Sequence, residues 1–306
     1  MKAVACGSTY HVDEIALDNS IKKTMLAELP EAFDVKEMSN QDVAFLCGLL
    51  RQHRPKKIVE VGVSTGATSA IVMRCMQELG CPYEMWSVEI LEHVHHMPGK
   101  KSGYLAEQAQ AQFGVKDYHL LRGCVLPQVI ERIGDGIDFL ILDTTHRLPG
   151  EVLDFLVAYP YLADSAMVCL HDVCLNLTDI RHAGSVATNA LFNAVVAEKY
   201  IDTDEKRTAG YPNIAAFVTG EETGKYIANI AGVLTQCWER MPDEEHLASY
   251  SRAIEAAYGP EVVWVYRHAL ELNRAYLAKY EEYDYSFARR AGRKVEKLLG
   301  SSMYRG

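Results

Sequence analysis

The chain has no pairing pattern for its cysteines. Eight are spread over 306 residues. None stands in a Cys-x-x-Cys spacing, which argues against a zinc site built from thiolates and fits reduced core thiols in a cytoplasmic protein. No apolar run comes near the roughly 20 residues of a membrane-spanning helix, so a membrane partner is not expected. The opening MKAVACGSTYHVDEIALD turns acidic before any long apolar stretch, unlike a secretory leader. Positive charge is in deficit, with 31 Lys and Arg against 41 Asp and Glu and a formal charge of −10. That disfavours nucleic acid, whose binding rests on neutralising phosphates. Repeats and low-complexity tracts are missing too. What is present is an ordinary globular balance, 49% hydrophobic and 24% charged, long enough for one large domain or a domain with an extension.

Within that balance one stretch stands out. Residues 57–68 read KIVEVGVSTGAT: a β-branched run, an acid, and a turn of small residues leading into the helical pattern ATSAIVMRCMQEL. A strand, a small-residue turn and a helix N-terminus form a corner suited to a nucleotide or another anion. A dinucleotide fingerprint wants glycine where Ser64 stands, which disfavours a nicotinamide oxidoreductase. The pattern acid-x-Gly-x-Gly-x-Gly is met as Glu60, Gly62, Ser64 and Gly66, with one serine for glycine and Thr65 beside it.

Strands and helices alternate from Lys57 to Asp172. Strands are expected at YEMWSVEI, YHLLRG, DFLILD and AMVCLHD. Helices are expected at VAFLCGLLRQH behind the capping box Ser39-Asn40-Gln41-Asp42, at SGYLAEQAQAQF, LPQVIERI and EVLDFLVAYPYL, and within SVATNALFNAVVAEKY. NIAAFVTG reads as a late strand. The alternation predicts an α/β fold, a doubly wound, mostly parallel Rossmann-like sheet, with an α-helical C-terminal extension. Domain limits are set at 1–38 for an N-terminal extension, 39–220 for the α/β domain and 221–306 for the helical extension. In such a sheet, ligands sit beyond the carboxyl ends of the strands. That rim gathers Glu60, Gly62, Ser64 and Gly66, then Glu89, then Gly123 and Cys124, then Asp143-Thr144-Thr145-His146, then His171-Asp172.

The segment LLRGCVLPQVIERIGDGIDFLILDTTHRLPGEVLDFLVAYPYLADSAMVCLHDV resembles class I S-adenosylmethionine (SAM) methyltransferases of the Methyltransferase-24 group. It is similar as well to cephalosporin-hydroxylase-like proteins, macrolide-sugar O-methyltransferases and, more remotely, catechol O-methyltransferase. The resemblance runs over roughly Ser39 to Gly220 and rests on the Asp-x-x-His after the fourth strand and the His-Asp pair after the fifth. It implies that Gly62, Ser64, Thr65 and Gly66 bring backbone to the methionine part of SAM, with Glu60 and Asp143 nearby. It implies that Glu89 holds the ribose and that Gly123 and Cys124 lie near adenine, where relatives often carry an acid or amide instead of Cys124. Asp143, Asp172 and His171 would hold a divalent cation, Mg²⁺ or Mn²⁺, and His146 stands where catechol O-methyltransferase has its catalytic lysine. The implied activity is metal-assisted O-methylation of a small molecule, with a sugar, a phenol or another alcohol as acceptor and His146 and Asp143 at the reacting atoms. An inert SAM-fold module that binds a ligand or partner is the alternative.

Blander readings stand beside these. Asp143 and Asp172 are also suited to capping the following helices. His171 fits direct ligation or a supporting hydrogen bond to Asp172 equally well. Glu89 and His146 are each compatible with a plain loop position. His93-x-His95-His96 reads as a surface loop, not a metal site. The tyrosines from Tyr258 to Tyr285 read as a packing surface or a homo-oligomer interface through the C-terminal helices.

Overall fold

Short apolar strands alternating with amphipathic helices build one sheet covered on both faces. The computed structural model describes residues 7–13, 20–29, 37–178, 180–202 and 213–279. In chain order the elements begin with β1 (Thr9–Asp13), α1 (Ile21–Met25), α2 (Asn40–His53), β2 (Lys57–Val61), α3 (Ala67–Leu79), β3 (Glu84–Glu89), α4 (Tyr104–Phe113) and β4 (Tyr118–Arg122). They continue with α5 (Leu126–Ile133), β5 (Ile137–Leu142), α6 (Gly150–Ala158), β6 (Leu162–His171), α7 (Leu175–Thr178), α8 (Ala187–Ala194), β7 (Glu198–Asp202) and β8 (Ile214–Val218). The helices α9 (Glu221–Lys225), α10 (Ile227–Val233) and α11 (Glu244–Ala257) follow, and α12 spans 260–279.

The eight strands lie in the order β1-β7-β8-β6-β5-β2-β3-β4. Among the described residues only β8 runs antiparallel to its neighbours, β6 and β7. From β2 the chain winds outward through β3 to β4, then returns to place β5 on the other side of β2. This reversal opens a crevice at the carboxyl ends of β2 and β5, the place where doubly wound sheets bind ligands.

Alternation along each strand assigns the two cores. Ile58, Met85, Phe139, Ile141, Met167 and Cys169 face α1–α4. Val59, Trp86, Leu140, Leu142, Val168 and Leu170 face α5, α6 and α8. The segment after Gly220 joins this second core through Ile230, Leu247, Tyr250, Ile254 and Tyr266 of its helices and Trp238 of the loop between two of them. Each such side chain fully removed from water contributes on the order of 1.5–3 kcal/mol. Of the tail tyrosines, Tyr266 is buried and Tyr276 is exposed. Tyr258 donates to the Leu156 carbonyl at 2.6 Å. Tyr280, Tyr283 and Tyr285 lie outside the described residues.

Two local findings differ from the sequence expectation. The helix within SVATNALFNAVVAEKY stops at Ala194, and Glu198–Asp202 is instead strand β7. Its pairing with β1 and β8 on either side outweighs the helical preference of the Ala-rich segment before it. The N-terminal segment also contributes a strand and a short helix, β1 and α1, which the pattern of those residues did not announce.

Candidate active site

The small-residue turn after β2 is small because backbone meets backbone there. Gly62 has φ +89°, and a Cβ on it would lie 1.9 Å from the Asp143 carbonyl oxygen. The ends of β2 and β5 are thereby pressed together, with Asp143 N donating to Val61 O at 3.0 Å. Gly66 has φ +88° and leaves no room for a Cβ against Ala106 of α4. Ser64, standing where the glycine pattern has its exception, still takes the left-handed conformation, with φ 49°.

Acids surround this turn. Glu89 Oε2 accepts from the amides of Val63 and Ser64, each at 2.9 Å, and Oε1 accepts from Leu91 N at 2.8 Å. A carboxylate has about four lone-pair sites, so one remains on the buried Glu89. Cys124 N approaches Glu89 O at 3.4 Å, which brings the Gly123–Cys124 turn beside the same acid. Glu37 accepts from Thr65 N at 3.1 Å and from Thr65 Oγ1 at 2.6 Å. Glu60 is fully buried behind the turn and accepts from the hydroxyls of Ser69 and Ser87. Burial pushes its carboxyl up to about 8 against the pull of those hydroxyls, so it holds its proton near neutral pH.

The strand ends beyond Gly62 carry a chain of alternating acids and imidazoles. His171, at the end of β6 and buried, puts Nδ1 3.1 Å from Asp143 Oδ1 and Nε2 3.6 Å from Asp42 Oδ2. Burial alone would lower its proton affinity; Asp143 and Asp172 outweigh that and raise it well above the ordinary value. Asp42 sits in the capping box of α2, accepting from Ser39 N at 2.8 Å while Ser39 Oγ accepts from Asp42 N at 3.1 Å. Burial pushes Asp42 up, but His171 holds it down at about 2. Asp143 is likewise lowered, burial being overcome by the charge of His171. His146 brings Nε2 to 3.2 Å from Asp172 Oδ2 and 3.8 Å from Asp143 Oδ1. Asp172 is oriented by Asn213, whose Nδ2 donates to Oδ1 at 2.8 Å. His146 and Asp172 both adopt left-handed backbone, φ 59° and 56°. Non-glycine residues hold that conformation only where the surroundings enforce it.

Glu60, expected on the rim, is instead buried behind the turn on the hydroxyls of Ser69 and Ser87; the other residues marked in the sequence lie at the carboxyl edge of the sheet. Asp143, His146 and Asp172 each offer one donor atom, and these atoms lie within 4.8 Å of one another. Two carboxylate oxygens and an imidazole nitrogen form a donor set suited to a hard or borderline divalent ion. Both ring nitrogens of His171 already face carboxylates. The His93, His95 and His96 side chains are exposed on a loop. Four residues of the site were not singled out in the sequence: Glu37, Asp42, Asn213 and Glu151, whose Oε1 accepts from His146 N at 2.6 Å. Asp42 was visible only as a helix cap. Asn213 reaches Asp172 because β8 returns antiparallel to β6, with His171 opposite Ile214.

Residues 59–173 match a family model described as a methyltransferase domain. No curated protein sequence matches the chain. Among solved structures, the O-methyltransferase TomG from Streptomyces achromogenes, involved in tomaymycin synthesis and solved with SAM, is 20% identical. That alignment covers 67% of this chain and 92% of that one, at a TM-score of 0.47. An O-methyltransferase from Bacillus cereus, in complex with SAH, is 16% identical over 66% of this chain and 92% of that one, at a TM-score of 0.44.

Proposed function

We propose, from the premise that residues 59–173 form a methyltransferase domain, that this protein transfers a methyl group from SAM to a hydroxyl oxygen of a small molecule. The observation that carries the reading is the meeting of the Gly62–Gly66 turn and Glu89 with Asp143, His146 and Asp172 at one sheet edge. Backbone stripped of side chains at Gly62 and Gly66 suits the amino-acid end of the cofactor. The free lone-pair site of Glu89 suits a ribose hydroxyl, and Gly123 and Cys124 border the adenine end. Bound SAM supplies an electrophilic methyl, so the group that needs activation is the acceptor hydroxyl.

Asp143 and Asp172 are the residues that would hold a divalent cation, Mg²⁺ or Mn²⁺, which would supply a lowered pKa for that hydroxyl. His171 keeps Asp143 in place from behind and is itself anchored by Asp42. His146 Nε2, facing the same space, takes the proton; a positioned base of this kind is typically worth 10²–10⁴-fold in rate. A second reading makes His146 a third ligand, and its favouring observation is the mutual 4.8 Å spread of the three donors. Metal affinity in His146→Ala separates the two: retained affinity supports the base, lost affinity the ligand.

The test of the function is S-adenosylhomocysteine formation with sugar, phenol and simple alcohol acceptors, with chelator and then with added Mg²⁺ or Mn²⁺. Turnover restored by the ion supports metal-assisted O-methylation. Turnover untouched by excess chelator removes the metal. Cofactor binding without turnover on any acceptor would favour an inert ligand-binding module.

A further inference from the structure

His146 is the least explained side chain of the cluster. Its Nε2 faces Asp172 and Asp143, but its Nδ1 is buried without a hydrogen-bond partner. The nearest carboxylate oxygen on that side is Glu151 Oε1, 3.5 Å away, longer than a hydrogen bond. Glu151 stands in the first turn of α6 and is fully buried. Its Oε1 is engaged by the backbone, accepting from His146 N at 2.6 Å and Thr144 N at 3.2 Å. Its Oε2 is buried and has no partner. A donor and an acceptor, each orphaned, thus belong to neighbouring side chains in the same pocket. A buried unmet polar group costs about 1–3 kcal/mol, more when charged, and a hydrogen bond between the two would relieve both.

We infer that Glu151 is a positioning residue for His146. One carboxylate oxygen ties down the amides of Thr144 and of the left-handed His146; the other accepts the proton of Nδ1. With the divalent ion that Asp143 and Asp172 would hold in place, the ring is thereby fixed in the tautomer whose bare nitrogen, Nε2, is directed at the space between them; without the ion, Nε2 stands 3.2 Å from Asp172 Oδ2 and is the nitrogen placed to donate. The arrangement is that of a carboxylate backing an imidazole whose far nitrogen does the work, whether that work is proton transfer or metal ligation. Gly150 keeps the start of α6 close to the loop, since a Cβ there would meet Thr145 Oγ1 at 2.8 Å. Thr144 Oγ1 is a competing donor for Glu151 Oε2, being buried and without partner as well.

The inference rests on the proposed role of His146, but its first test does not require turnover. Nitrogen-15 spectra of the full chain with labelled histidine are recorded with saturating Mg²⁺, at a pH where the neutral ring dominates. The signal of His146 is identified by its loss in His146→Ala. The expected result is a proton on Nδ1 and a bare Nε2. A proton on Nε2 with Nδ1 bare overturns the inference, whatever the enzyme does. The second arm is Glu151→Gln, which keeps an oxygen for the two backbone amides but loses the charge. Its kcat is expected to fall roughly 10–100-fold, the usual loss when a group backing a ligand or base is removed, with KM for SAM within about twofold. Glu151→Asp is expected to recover part of kcat. Unchanged kcat in Glu151→Gln overturns the positioning role. An absence of turnover in the wild type with Nδ1 protonated overturns the methyl-transfer reading and leaves the positioning intact.

Discussion

Replacing Asp154 by Asn gives a pH-dependent stability whose sign and size follow from the packing of α6 on α11. Asp154 is buried, and its Oδ1 accepts from Tyr250 OH at 2.6 Å. Burial pushes its carboxyl from the usual 3.8 up to about 7, against the pull of the Tyr250 hydroxyl. The folded protein thus binds this proton more tightly than the unfolded chain. The resulting stability is fully present below about pH 4 and is lost as the pH rises through about 7. Each tenfold step in proton affinity corresponds to about 1.4 kcal/mol, so the loss between pH 4 and pH 8 is of the order of 4 kcal/mol. Asn keeps the acceptor oxygen for Tyr250 and cannot ionise. Asp154→Asn should therefore match the wild type near pH 4 and exceed it at pH 8, by roughly 8 °C in Tm at about 2 °C per kcal/mol for a chain of this size. Thermal melts of both proteins from pH 4 to pH 8 measure the difference. Parallel Tm curves across that range would refute the burial of an uncharged carboxyl at this position.

Gly62→Ala should be among the most damaging single changes in the chain. The added methyl would overlap the Asp143 carbonyl, so β2 and β5 must part at the site. Soluble yield and cofactor affinity should both drop, and a variant of wild-type affinity would contradict the close approach. Asn213→Leu should leave the fold in place but release Asp172 Oδ1; calorimetric metal affinity should weaken by about tenfold, and an unaltered affinity would remove Asn213 from the site. A chain ended after Gly220 should aggregate, because Phe155 and Leu156 of α6 lose part of the cover that the later helices give the shared core. A soluble, monodisperse truncation would show that the tail is separable.

Much of this architecture was legible because the strands are short and regular. DFLILD became β5 and LPQVIERI became α5 without change of limits beyond a residue. The rim residues were legible for the same reason: once a parallel sheet is assigned, strand ends share an edge. Contacts that depend on pairing across the chain were not. Asn213 lies 41 residues from Asp172, and only the antiparallel return of β8 brings them together. Asp42 announced itself as a cap through Ser39; that its carboxylate also faces His171 depends on how α2 lies against β6. β7 was read as helix because its neighbours in sequence are alanines, while its neighbours in space are strands.

The central claim is that the edge formed by Gly62, Glu89 and Asp143 is a SAM site, and calorimetric titration with S-adenosylhomocysteine tests it most directly. The full chain should bind one equivalent at micromolar affinity, roughly −8 kcal/mol. Glu89→Ala should weaken binding by tenfold or more, through loss of the charged acceptor and release of the Val63 and Ser64 amides. No heat of binding with S-adenosylhomocysteine, or an affinity indifferent to Glu89→Ala, would contradict it.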